Sequence, residues 1–314
     1  APGGMMSYES ADDLKFYVKK GYCPGNAGKT LEWAFQDWGL SRMALRMGKK
    51  SDAALYEKRS RAWTPLFNKN IGLILPKKEN GEWLHTDPLN GQGWVEANAW
   101  QATWSVSHDL PKLVELMGGG DAFCEKLNYA FEQARPTDFV HAYSGGYVSY
   151  ATHPGCSNAL LFTYGGQPWL TQYWVRQVKE HAYGGITPDK GYGGHDEDEG
   201  QMGAVSALMS LGLFSVTGTE YDSPYYDITS PIFDKITIKL NKDYYSGDEL
   251  VINVHNISAD ICYIQNAELN GTDWTYAQLD HVDFAKGGTL NLWLGNMPNK
   301  SWGKLKYLSF KTNK

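Results

Sequence analysis

The stretch Pro231–Leu240, PIFDKITIKL, sets Ile236, Ile238 and Leu240 against Lys235, Thr237 and Lys239 at a period of two. Successive side chains of an extended chain point to opposite sides, so this is a strand with one buried face. Before it the period is different. From about residue 28 to 216 apolar positions recur at helical spacing, as in TLEWAFQDWGLSRMALRMGKK from Thr30, where Leu31, Ala34, Phe35 and Trp38 share a face. After it, DELVINVHNIS, ICYIQNAELNG and GTLNLWLG read as short strands separated by turn signals. The switch near Thr217 therefore gives a mainly α chain with a β tail, divided into a helical part over 1–222 and an antiparallel β region over 223–314.

Within the helical part, Thr30 is a candidate cap, as are Ser51 and Asp52 before SDAALYEKRSRAWTPLFN. Further helices are expected at 97–107, 120–134, 157–164, 168–182 and 199–213. Their connections are rich in Gly, Pro and Asn, which suits a bundle, a solenoid or a helical toroid. The tail, with roughly four to seven strands, needs cover for one face and its edges, and is expected to pack on the helices or on something outside this chain.

Composition narrows the function. The 314 residues are 42% hydrophobic, enough for a sizeable core, and the net charge of −6 argues against a nucleic-acid partner. No apolar segment approaches the roughly 20 residues that span a bilayer, and the opening APGGMMSYES has neither the charged nor the apolar region of a signal peptide. Cys23, Cys124, Cys156 and Cys262 are scattered without CxxC pairing, so isolated buried thiols are expected rather than a zinc site. Twelve Trp and twenty Tyr are a high aromatic content; most such rings fill a core, but rings beside amides and carboxylates also suit carbohydrate, whose C–H faces stack while its hydroxyls find polar partners.

Three polar, aromatic stretches carry the candidate chemistry. In GWVEANAWQATWSVSHD, Glu96 lies between Trp94 and Trp100, with Asn98 following. A carboxyl among indoles is partly desolvated and suited to give a proton near neutral pH, although a first-turn Glu that only satisfies a helix dipole is the commoner case. In YATHPGCSNALLFTYGGQPWLTQYW, His153 before Pro154 is expected to be extended, Asn158 opens a helix, and Gln167 and Trp169 stand where another begins. In GYGGHDEDEGQMGA, Asp196, Glu197, Asp198 and Glu199 precede a helix whose N-terminal N–H groups can stabilise them. That run fails as an EF-hand, because Gly200 and Ala207 fall where ligands belong. Two of its carboxylates facing a pocket could hold and activate a water. With Glu96 as proton donor this is the equipment of an inverting glycosidase.

Together the stretches TLEWAFQDW, GLILPKKENGEW, VEANAWQATWSVSHDLPKLVELMGG, YGGQPWLTQYWVR, DEDEGQMGAVSALMSLGLFSV, YDITSPIFDKITIKL and MPNKSWG resemble glycoside hydrolase family 92, the calcium-dependent exo-acting α-mannosidases. The resemblance implies part of an (α/α)6 toroid followed by the β region, and inverting hydrolysis of terminal α-linked mannose from glycans. It implies Glu96 as general acid, Asp198 with Asp196 as general base on water, and Ca2+ beneath the sugar, held largely by main-chain carbonyls and water. Trp94, Asn98, Trp100, His153, Gln167 and Trp169 become candidate substrate contacts, and Asn98 and Gln167 weak candidates for the metal. It further implies an exported enzyme, secreted or periplasmic or at the cell surface, and an N-terminal β-sandwich preceding the matched portion. Family members that cut α-1,2 linkages have Glu before the Pro matched by Pro154. Here Thr152–His153 stands there, which points to another linkage. Two other readings are a non-catalytic sugar-binding or scaffold fragment, and another (α/α)6 glycosidase or phosphorolytic relative without a metal.

Overall fold

The computed structural model describes residues 11–187, 200–216 and 223–306. The helical part opens with α1 (Ala11–Lys20), α2 (Ala27–Arg46) and α3 (Lys50–Arg59). α2 begins one turn before Thr30. Asn26 caps it by accepting from the Lys29 N–H at 2.8 Å, while the Thr30 hydroxyl bonds back to the Asn26 carbonyl. α3 is entered from Lys49, without a side-chain cap from Ser51 or Asp52. Leu31, Ala34 and Trp38 are buried along α2, and Asp37 ties the three helices together, accepting from Tyr17 Oη and Arg59 Nε at 2.9 Å each.

A small hairpin, β1 (Phe67–Asn68) with β2 (Leu73–Ile74), leads to a long irregular stretch. The helix expected over 97–107 is only α4 (Ala99–Ala102). Thr103 stops it: its hydroxyl bonds back to Ala99 O and also receives the Ile74 N–H from β2, and the chain turns away to a 3-10 turn at Ser107–Asp109. α5 (Leu110–Leu116) and α6 (Gly120–Ala134) follow, the latter where the periodicity placed it. Asn158–Thr163 is a buried 3-10 helix rather than an α-helix. α7 (Pro168–His181) and α8 (Gln201–Leu211) complete the helical part. One large core joins these elements, with Trp63, Trp104 and Trp174 fully buried. All four cysteines are free and buried.

The tail corrects one expectation. Its strands are β3 (Leu213–Phe214), β4 (Tyr225–Ile228), β5 (Lys235–Lys239), β6 (Glu249–His255), β7 (Tyr263–Leu269), β8 (Thr272–Asp273), β9 (Gln278–Asp280) and β10 (Gly288–Gly295), with α9 (His281–Lys286) before β10. β3, β4 and β9 form one antiparallel sheet, and its first strand comes from before residue 222. The other sheet runs β5-β6-β10-β7-β8 and is mixed, because β10 pairs parallel with β6 and antiparallel with β7. The chain returns through α9 and enters the gap between two ready-made antiparallel pairs, so it can be antiparallel to only one of the inner strands. Leu250, Ile252, Leu290 and Leu292 turn inward to a second core.

This core leans on α7, the first of the two covers expected for it. Gln172 accepts the Ile264 N–H at 2.9 Å, Tyr173 stacks on Tyr263, and Arg176 donates to Pro231 O and Ser258 O. The Tyr164 hydroxyl donates to fully buried Asp227 on β4 at 2.9 Å, joining the two cores by a hydrogen bond. No described helix is long and apolar enough to cross a membrane.

Candidate active site

A cleft of about 630 Å³ opens where the N-terminal half of α2 faces the loop before α4, the 3-10 turn His153–Gly155 and the first residue of α8. Lys29, Glu32 and Phe35 line it from α2, Trp94 and Glu96 from the loop, His153 from the turn, and Gln201 from α8. Three of the expected site residues, Trp94, Glu96 and His153, are thus brought together.

The loop carrying Glu96 is locked at both ends. Gly93 sits at φ +89°, with Pro76 and the Gly25 carbonyl so near that a Cβ would collide. Its carbonyl receives the Ala27 N–H at 2.8 Å, so one of the donors left over at the start of α2 holds the loop down. At the far end, fully buried Asn98 caps α4 by accepting from Gln101 N at 3.1 Å and donates to Ser144 O at 2.7 Å and Gly146 O at 2.8 Å. Between these anchors Glu96 takes φ +51°, a left-handed conformation unusual for a residue with a Cβ. It lies in the loop rather than in the helix, and its side chain is exposed at the cleft instead of being shielded by indoles.

Asn98, Trp100, Gln167 and Trp169 lie off the lining. Trp100 is buried against Tyr129 and Tyr147, with Lys126 over its ring. Trp169 has the Lys300 ammonium over its ring, toward the β tail. Gln167 donates to Asp121 at 3.1 Å. His153 belongs to the 3-10 turn, and the extended residue is Thr152, at φ −141° and ψ 157°. Asp196 and Asp198 lie outside the described residues. Sequence reading missed Lys29, Glu32, Phe35 and Gln201. The available signal was a pair of charged residues within the buried first turns of α2.

Side chains among the described residues do not make a calcium cage. Asn98 is committed to its cap and to the 144–146 loop, and Gln167 to Asp121. Gln101 Oε1 and Asn158 Oδ1 are buried without a partner, and are oxygens of the kind calcium takes. Two neutral oxygens fall short of the six to eight it needs, and no group of three His, Cys, Asp or Glu could hold a metal among the described residues.

Comparison with known proteins places this chain in a lineage. Residues 4–296 match the model of the glycosyl hydrolase family 92 catalytic domain. A family GH92 inverting mannosidase of Bacteroides thetaiotaomicron is 30% identical, with a TM-score of 0.81 over 97% of this chain and 42% of that one. An α-mannosidase of the same family and organism shares the fold at 23% identity, with a TM-score of 0.80 over 96% of this chain and 39% of that one. An uncharacterized secreted glycosidase of Arthroderma benhamiae is 27% identical over 96% of this chain and 40% of its own length. The chain therefore spans about two-fifths of the length of these relatives. By its sequence and its fold, the chain belongs to glycosyl hydrolase family 92.

Proposed function

We propose that the chain carries the acid and the base of an inverting exo-α-mannosidase acting on mannose-terminated glycans. The observation that carries this reading is Glu96 exposed on a cleft that Trp94, His153 and Gln201 also line. Glu96 protonates the departing glycosidic oxygen. Asp198, with Asp196, takes a proton from the water that attacks the anomeric carbon from the other side, so the configuration inverts in one displacement. Asp198 precedes Gln201 by three residues, a chain reach of about 10 Å, which supports its access to the same cleft. Trp94 offers a ring on which a sugar face stacks. His153, where α-1,2-cutting members have Glu, favours a linkage other than α-1,2.

The (α/α)6 toroid, the dependence on calcium, the β-sandwich beyond the matched portion and export from the cell belong to this reading through family membership; for export, the secreted relative adds support. The test is mannose release from a panel of α-linked mannobioses, with EDTA and then with excess Ca2+, following the anomer first formed. β-Mannose, abolished by EDTA and restored by calcium, is expected. Glu96→Gln should lower hydrolysis by about 10²- to 10⁴-fold and leave sugar binding in place. Retention of configuration, or full activity in Glu96→Gln, would overturn the assignment.

A further inference from the structure

We infer that Thr152 is a positioning residue that holds Glu96 in its left-handed backbone conformation and so aims the proton donor; this rests on Glu96 being the acid. Thr152 is buried, and its Oγ1 donates to the Glu96 carbonyl at 3.3 Å across 56 residues of sequence. Thr152 is itself fixed, because its own carbonyl receives the Gly155 N–H at 3.4 Å and the Cys156 thiol at 3.5 Å. The anchors at Gly93 and Asn98 fix the ends of the loop but leave the peptide after Glu96 to choose its orientation. For a residue with a Cβ, the left-handed choice is disfavoured by about 1–2 kcal/mol, a five- to thirtyfold bias against it. The hydroxyl of Thr152 opposes that bias at the carbonyl that would swing. The next residue, His153, lines the cleft, so one turn supplies both a wall and the clamp.

Thr152→Val keeps the shape and removes the hydroxyl, while Thr152→Ser restores it. Each is compared with Glu96→Gln on a mannobiose, whose leaving group needs a proton, and on 2,4-dinitrophenyl α-mannoside, whose leaving group does not. Thr152→Val should lower kcat on the mannobiose about tenfold, leave KM within about twofold, and change the dinitrophenyl rate by less than about twofold. Thr152→Ser should recover most of the loss. Independently of activity, amide exchange over residues 92–98 should quicken about tenfold in Thr152→Val, with a melting temperature lowered by only about 2 °C. Equal losses on both substrates, or loop exchange identical to wild type, would overturn the inference. A Glu96→Gln variant that loses rate equally on both substrates would instead overturn the acid assignment, and loop exchange would still decide whether Thr152 holds the loop.

Discussion

Replacing Asn98 by Ala separates two roles that its sequence context allows, a sugar or metal contact and a structural tie. In the structure its carboxamide is spent: it accepts the Gln101 N–H and donates to the Ser144 and Gly146 carbonyls, and the residue is wholly buried. Removing the cap costs about 1 kcal/mol. The two carbonyls lose their donors as well, at about 1 kcal/mol each where water can partly replace them, because Ser144 and Gly146 are only half-buried. The expected destabilisation is about 3 kcal/mol, or a fall of roughly 4–6 °C in Tm for a chain of this size. Urea unfolding followed by circular dichroism reads it directly. Asn98→Asp keeps the cap but sets a carboxylate against two carbonyl oxygens, so it should be no more stable than the alanine variant. A Tm within about 2 °C of wild type in both variants would refute the reasoning, since a buried group carrying three hydrogen bonds cannot be removed so lightly.

Trp94→Ala should raise KM for mannosides about tenfold or more, whereas Trp169→Ala should leave it within about twofold, because only the first ring lines the cleft; equal effects would place the sugar elsewhere. Burial pushes the Asp227 carboxyl up to about 7, against the hydrogen bond from Tyr164. The folded chain therefore keeps a proton that the unfolded chain releases, and stability falls as pH rises from about 4 to about 7. Burial also lowers His108 to about 4, so stability is lost as pH falls from about 6.5 to about 4, the opposite sense over an overlapping window. Asp227→Asn should remove the first dependence and expose the second, changing the stability difference from wild type by a few kcal/mol between pH 4 and 7. Parallel pH profiles in denaturant unfolding would sink that account.

The sequence made α6, α7 and α8 legible because their apolar period is long and uninterrupted. It misplaced the helix after Glu96 because the stop is tertiary: Thr103 bonds to its own turn and to β2, a partner nearly thirty residues away. Alternation in the tail showed which side chains face inward, but not which strand lies beside which, so the parallel β6–β10 pair could not be read. The same limit governs the site. Trp94, Trp100 and Trp169 look alike in sequence, each a Trp among amides, and only packing sends one to the cleft, one against two tyrosines and one under a lysine. The exposure of Glu96 was hidden for a related reason, since its left-handed backbone sets the direction of its side chain, which spacing in sequence does not show.

The placing of β10 also governs how the tail can be made. A strand that fills the middle of a sheet is a keystone, and this one is synthesised after every strand it joins. Until Gly288–Gly295 emerges, β5 with β6 and β7 with β8 are two separate ribbons with facing, unsatisfied edges. At about 5–20 residues per second that interval lasts a second or more, long enough for a neighbouring nascent chain to offer a strand instead. Loss of β10 would accordingly not shorten the sheet. It would split it into two halves, neither wide enough to shelter the second core.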